Sequence, residues 1–407
     1  MPKLILGPLL RYVGETQATV WVETDAPATV EVLGHRERTF AVSGHHYALV
    51  LVEGLEPGKV HEYGVALDGQ PVWPQPGAGF PPSRIRTFDP AEPLRVAFGS
   101  CRVAAPHEPP WTLPPDRHPQ ARGADALHAF ALRMQASDPG EWPQLLLLLG
   151  DQVYADDTSP GVRQFIASRR DPGQPPGEEV ADFEEYTRLY WESWGDPVVR
   201  WLLSTVPSAM IFDDHDVHDD WNTSAAWVQR MRSQPWWDER ITSGLASYWI
   251  YQHLGNLAPG DLAEDPIYAA VRQAGDATAI VRDYAFQADR EVEGRRWSYR
   301  RDLGGTRLVV VDSRCGRVLD GGRRAMVDDD EFEWIERQTE GDFDHLLLAT
   351  SLPFALALPR TTWRPGTRRS ATAPGAGWPP GWGSGSGRRS TWSTGPPSMP
   401  PSTGWRR

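Results

Sequence analysis

The chain has 407 residues, 40% hydrophobic and 23% charged, with a formal net charge of −13. This composition excludes a wholly disordered chain, and the acidic balance excludes the broad basic footprint of a general nucleic-acid binder. There is no run of about 18 apolar residues, so no membrane-spanning helix is expected. Two cysteines, Cys101 and Cys315, cannot build a disulfide framework. The opening MPKLILGPLLRYVGETQ reads as a first strand rather than a signal peptide, which makes the cytoplasm the expected location.

Residues 1–89 alternate short strand-like runs with turns: QATVWVET, ATVEVLG, HHYALVLVEGL, HEYGVAL and SRIRTF. Regular short strands of this kind predict a small β-sandwich. The Pro-rich stretch 71–83 predicts a long loop before its last strand. From Leu94 the pattern changes to continuous apolar runs that end in polar residues: LRVAFGSCR, QLLLLLGDQVYADD, SAMIFDDHDVHDDWN, TRLVVVDSRC and HLLLATSLP. Such runs predict buried strands covered on both faces. Helical spacing appears in ADALHAFALRMQA, EEVADFEEYTRLYWESWG and DDDEFEWIERQT, and 223–300 reads as mostly helical. The expectation is a layered α/β domain with its polar residues just past the strand ends.

Four segments could carry chemistry. FDDHDVHDDWN, residues 212–222, holds Asp213, Asp214, Asp216, Asp219 and Asp220 with His215 and His218. Like charges this dense repel unless cations neutralise them; the alternative is a solvated acidic loop. LLLLLGD aims Asp151 past a strand end, where it could ligate metal or serve structure. Cys101 ends another run and is either an inert thiol or a thiolate ligand. In VVVDSRC, Asp312 reads as one half of an Asp–Arg ion pair, and Arg314 could instead clamp phosphate.

Taken in order, GSC (99–101), GDQVYAD (150–156), DDHDVHDDW (213–221), DSR (312–314) and TSLP (350–353) resemble the PhoD-like (alkaline phosphatase D) metallophosphatases. The resemblance covers roughly residues 1–358. It implies a calcineurin-like αββα core after a fibronectin/immunoglobulin-like β-sandwich, and metal-dependent hydrolysis of phosphate mono- or diesters by a metal-activated hydroxide. It implies Fe(3+) and Ca(2+), with Cys101, Asp151 and Tyr154 on iron and Asp151 bridging to calcium. Asp214 would ligate the second metal, and Asp219 or Asp220 would bind calcium. His215 and Arg314 would serve catalysis, His215 by contacting phosphate or protonating the leaving group. The expected partner is a phosphate-ester substrate, with neither specific nucleic-acid binding nor a membrane. A non-catalytic calcium-binding protein with a β-sandwich module is the alternative.

One motif of the resemblance, a Gly-Asp-Val-His segment after TSLP, is not found. Residues 361–407 instead hold 9 Gly, 8 Pro, 7 Arg and 5 Trp with no acidic residue. A frameshift explains this composition. The chain has 2 Lys against 39 Arg, as a GC-rich gene would give. Codons for RTTWRPGTRR regrouped by one base read HHLEAWNEA, an ordinary amphipathic segment. A genuine disordered Arg/Trp tail is the alternative. The expected organisation is therefore 1–89 sandwich, 90–358 incomplete metallophosphatase core and 359–407 irregular tail, with activity doubtful in this form. Without the tail's 7 Arg the first 360 residues carry −20.

Overall fold

The computed structural model describes residues 1–291, 297–319 and 322–352. The irregular tail, Pro353 and the proposed frame change lie outside the described residues.

Ten strands fill the N-terminal region: β1 (Leu4–Val13), β2 (Ala18–Thr24), β3 (Thr29–Val32), β4 (His35–Arg38), β5 (Phe40–Val42), β6 (His45–Val52), β7 (Val60–Glu62), β8 (Val65–Leu67), β9 (Gln70–Trp73) and β10 (Arg84–Arg86). They form antiparallel sheets in the orders β1-β2-β6-β5 and β4-β3-β8-β9, with β7 and β10 as a separate pair. Val20, Val22, Val30, Val32, Val50 and Val65 meet in one core between the sheets. The period-2 pattern thus produces the sandwich layering.

Two local expectations fail here. HEYGVAL is two strands, because Gly64 lies against the Trp73 carbonyl, where a Cβ would come within 2.7 Å. The stretch 71–83 read as a loop opens inside a strand, β9, because an edge position tolerates the missing N–H of Pro71.

The rest of the chain alternates strands and helices: β11 (Val96–Gly99), α1 (Ala126–Gln135), β12 (Leu145–Leu149), α2 (Pro160–Arg169), α3 (Phe183–Trp194), α4 (Pro197–Thr205), β13 (Ser208–Ile211), α5 (Ala225–Arg232), α6 (Trp237–Tyr248), α7 (Pro259–Glu264), α8 (Pro266–Gln273), α9 (Thr278–Arg290), β14 (Tyr299–Leu303), β15 (Thr306–Val311), α10 (Asp329–Gln338) and β16 (His345–Thr350). Five of the described helices begin where an Asp caps them: Asp125 on α1, Asp182 on α3, Asp196 on α4, Asp265 on α8 and Asp328 on α10. A π-turn, Trp249–His253, extends α6.

Strands β11, β12 and β13 form a parallel sheet, and β14-β15-β16 a mixed one. The five leucines of β12 are central, which is why they read as a continuous apolar run. This is the expected α/β core behind a β-sandwich. Not every run is covered on both faces, however. β11 and β16 are edge strands among the described residues, and Phe98, Leu347 and Leu348 are exposed. β14 begins within the last two residues of the stretch read as helical, because its partner β15 supplies the pairing that sequence pattern alone lacks. Among the described residues no helix is long and apolar enough to cross a membrane.

Candidate metal centre

Parallel register sets the position of the site. Gly99 pairs with Leu148, and Leu149 with Ile211, so the chain past all three strands emerges on one side. Cys101, Asp151 and Asp213 follow directly. Cys101 and Asp151 both have left-handed backbone, with φ of 59° and 50°. Non-glycine residues held there mark strained, functional turns. Gly150 takes φ of 100°, and a Cβ on it would lie 2.5 Å from that of Asp213 and 3.2 Å from that of Ser351. Only glycine permits this approach, which also brings in the end of β16.

Asp216 ties the strand ends together. One of its oxygens accepts the backbone N–H of Asp151 at 2.8 Å and of Asp213 at 2.9 Å. Its other oxygen accepts from Gln252 of the π-turn at 3.2 Å. Burial pushes its carboxyl well above the usual carboxylate range.

Asp151, Asp213 and Asp214 each place a carboxylate oxygen within 4.8 Å of the others. Asp214, Asp219 and Asp220 do the same, so Asp214 belongs to two adjoining groups. Arg314 lies over the first group. It donates to Asp213, stands 3.0 Å from an Asp214 oxygen and bonds the Trp221 carbonyl at 3.2 Å. Asp312 does not pair with this guanidinium. Its carboxylate accepts the backbone N–H groups of Arg314, Cys315 and Gly316 and shapes the turn that presents Arg314.

His215 stands beside the carboxylates. Its Nδ1 meets both oxygens of Asp156, at 2.8 and 3.0 Å, and its ring centroid is 4.7 Å from that of Tyr154. Its Nε2 remains free of Asp156 and lies 3.9 Å from Asp219. Burial alone would lower the imidazole pKa, but the Asp156 hydrogen bond and charge outweigh it and raise it to about 9. His218 is directed elsewhere, toward the rings of Trp227 and Trp237.

Thus the structure gathers Asp151, Tyr154, Asp214, His215, Asp219, Asp220 and Arg314 in one neighbourhood. Cys101 joins them through its electrostatic contact with Asp151. Asp219 and Asp220 both flank Asp214, so position does not choose between them. Reasoning from sequence passed over Asp156 and Asp216 as functional groups and put no role on Asp213. Asp156 lies within the GDQVYAD motif, but its partner is 59 residues away. No spacing rule marks Asp216 as the strap.

The donor groups fit multivalent cations. Burial, reinforced by the Asp213 charge, pushes Asp151 up to about 6. Burial with the neighbouring Asp151 pushes the Cys101 thiol up to about 11 and the Tyr154 phenol above its ordinary range. The protein alone therefore opposes all three anionic forms, and a bound cation reverses that balance.

Residues 128–286 match the family model described as PhoD-like phosphatase, and residues 1–85 match a domain of unknown function, DUF7800. The solved structure of PhoD aligns with a TM-score of 0.54 at 13% identity. That alignment covers 85% of this chain and 62% of the PhoD chain, so the chain spans less than two thirds of it. The structure of purple acid phosphatase PPD1 from yellow lupin (Lupinus luteus) seeds aligns at a TM-score of 0.39 and 11% identity, over 81% of this chain and 47% of that one. No curated protein sequence matches.

Proposed function

We propose that this chain, whose residues 128–286 match the PhoD-like phosphatase family model, hydrolyses phosphate esters at the carboxylate centre. One observation carries the reading: two carboxylate groups sharing Asp214, with the Asp156-held imidazole of His215 beside them. Cys101, Asp151 and Tyr154 would hold Fe(3+), and Asp214 with Asp219 or Asp220 would hold Ca(2+). Bound there, the cations would neutralise phosphoryl oxygens and lower the pKa of water.

The chain's own groups supply the rest. Asp156 fixes the orientation of His215 and keeps its proton on at neutral pH. His215 then gives a proton to the departing ester oxygen. Arg314 balances Asp213 and Asp214, and its guanidinium would also attract an anionic substrate bound beside them. Asp216 holds Asp151 and Asp213 at a constant separation.

The test is turnover of bis(p-nitrophenyl) phosphate with iron and calcium present, together with a visible absorption spectrum. The expected results are phosphoesterase activity and a phenolate-to-iron band that disappears in Tyr154→Phe. Asp151→Asn should abolish turnover. His215→Asn should lower kcat by about 10²–10⁴-fold, the range of a general acid. Calcium binding without iron and without turnover of any ester would return the alternative, a calcium-binding protein.

Part of this proposal is that the coding frame changes near codon 360. Resequencing codons 350–370 tests it directly, and a frame-corrected protein should exceed this one in turnover. Equal turnover would overturn the frame change without touching the site assignment.

A further inference from the structure

Away from the carboxylate centre, a second cluster forms where three separate segments meet. His107 lies in the irregular stretch after Cys101, His128 in the first turns of α1, and Asp196 at the N-cap of α4. His128 Nδ1 is 3.1 Å from one Asp196 oxygen, and His107 Nε2 is 3.4 Å from the other. The two imidazoles are tilted by 31° with centroids 3.6 Å apart. One donor atom from each of the three residues lies within 4.8 Å of the other two.

We propose that His107, His128 and Asp196 form a binding site for a borderline divalent transition ion, of which Zn(2+) is the type. Neutral imidazole is the form that ligates metal. Zn–N and Zn–O bonds of about 2.0–2.2 Å in tetrahedral geometry separate neighbouring donors by roughly 3.3–3.6 Å, and these donors, within 4.8 Å of one another, need close up only a little to reach that spacing. Two imidazoles and one carboxylate also suit zinc better than calcium, which prefers oxygen alone.

The carboxylate is oriented from behind. The Oδ1 of Asp196 accepts the N–H groups of Val198 and Val199, both at 3.0 Å, and such outer hydrogen bonds fix a ligand's direction. The neighbouring acid, Asp125, is already taken by Arg102 at 2.7 Å and does not compete. A cleft of about 420 Å³ lined by Cys101, Arg102, His107, Asp125 and Phe130 gives access from solvent. A bound ion would pin the segment that leaves Cys101 to the starts of α1 and α4. Its role would be a brace for that segment, separate from ester hydrolysis.

The experiment uses the full chain carrying Asp151→Asn, which impairs the carboxylate centre, with Zn(2+) as the probe. One Zn(2+) per chain should bind, and zinc-edge X-ray absorption should show scattering from two imidazoles. Adding His128→Ala, or separately His107→Ala, should weaken zinc binding at least 100-fold, since even outer partners of metal ligands cost 10–100-fold. A zinc shell of oxygen donors alone would overturn the proposal, whatever the variants do. So would unchanged affinity in either histidine variant.

Discussion

Buried charge is handled in opposite ways in two regions of this molecule. Where the N-terminal sheets meet the α/β core, two fully buried arginines carry charge. Arg11 of β1 donates to the carbonyls of Tyr251 and Gln252, both at 2.7 Å, and to Asn256 at 3.0 Å. Arg301 of β14 donates to Gly255 at 2.7 Å, Asn256 at 3.0 Å and Arg11 at 3.1 Å. Nearly every N–H of these guanidiniums finds a carbonyl, so the charge is solvated by backbone. At the strand ends the buried charges are carboxylates, and they face one another with one arginine among them. The first arrangement is complete as it stands. In the proposed function cations complete the second, which is what would separate a structural site from a chemical one.

The largest expected effect breaks the first side of this comparison. Arg11→Ala strips the donors from buried carbonyls and should destabilise the protein by about 3–5 kcal/mol, read from the urea midpoint. A loss under 1 kcal/mol would mean that water replaces the guanidinium.

The second side should respond with the opposite sign. In chelator-treated protein, Asp151→Asn removes one of several facing carboxylates and should raise stability at pH 7 by about 2 kcal/mol. The sign follows from Asp151 having a folded pKa near 6, above its unfolded value. Its contribution is favourable below pH 4 and is lost as pH rises through 6. The Asn variant should lack that pH slope. Added calcium should reverse the ranking, because only the parent binds it fully.

A smaller effect comes from His45, which bridges the same two regions. It contacts Glu23 of β2 at 3.0 Å and Glu184 of α3 at 2.8 Å. Burial opposes its protonation, but both glutamates outweigh burial and raise the pKa to about 9. Its stabilisation is full below about pH 6.5 and is lost as pH rises through 9. After solvent screening this is about 1 kcal/mol. His45→Gln should flatten the thermal stability profile between pH 6.5 and 9, and an unchanged slope would exclude the bridge.

Much of the architecture was legible before the structure. LLLLLGD could be placed as a central strand because burial on both faces leaves no alternation. FDDHDVHDDWN could be marked as a candidate cation site because seven ionisable groups crowd into the eight positions 213–220. The apolar runs of β11 and β16 were misread as fully covered because hydrophobicity does not reveal which strands end at a sheet edge.

Local sequence determined which residue types follow each strand, since strand, turn and cap obey short-range rules. Tertiary structure alone decided their partners. Asp156 reaches His215 across 59 residues, Asp213 receives Arg314 across 101, and Asp196 receives His128 across 68. Each is a pairing between ends of separate elements. Sheet register and helix packing set those distances, and neither leaves a periodicity in the chain.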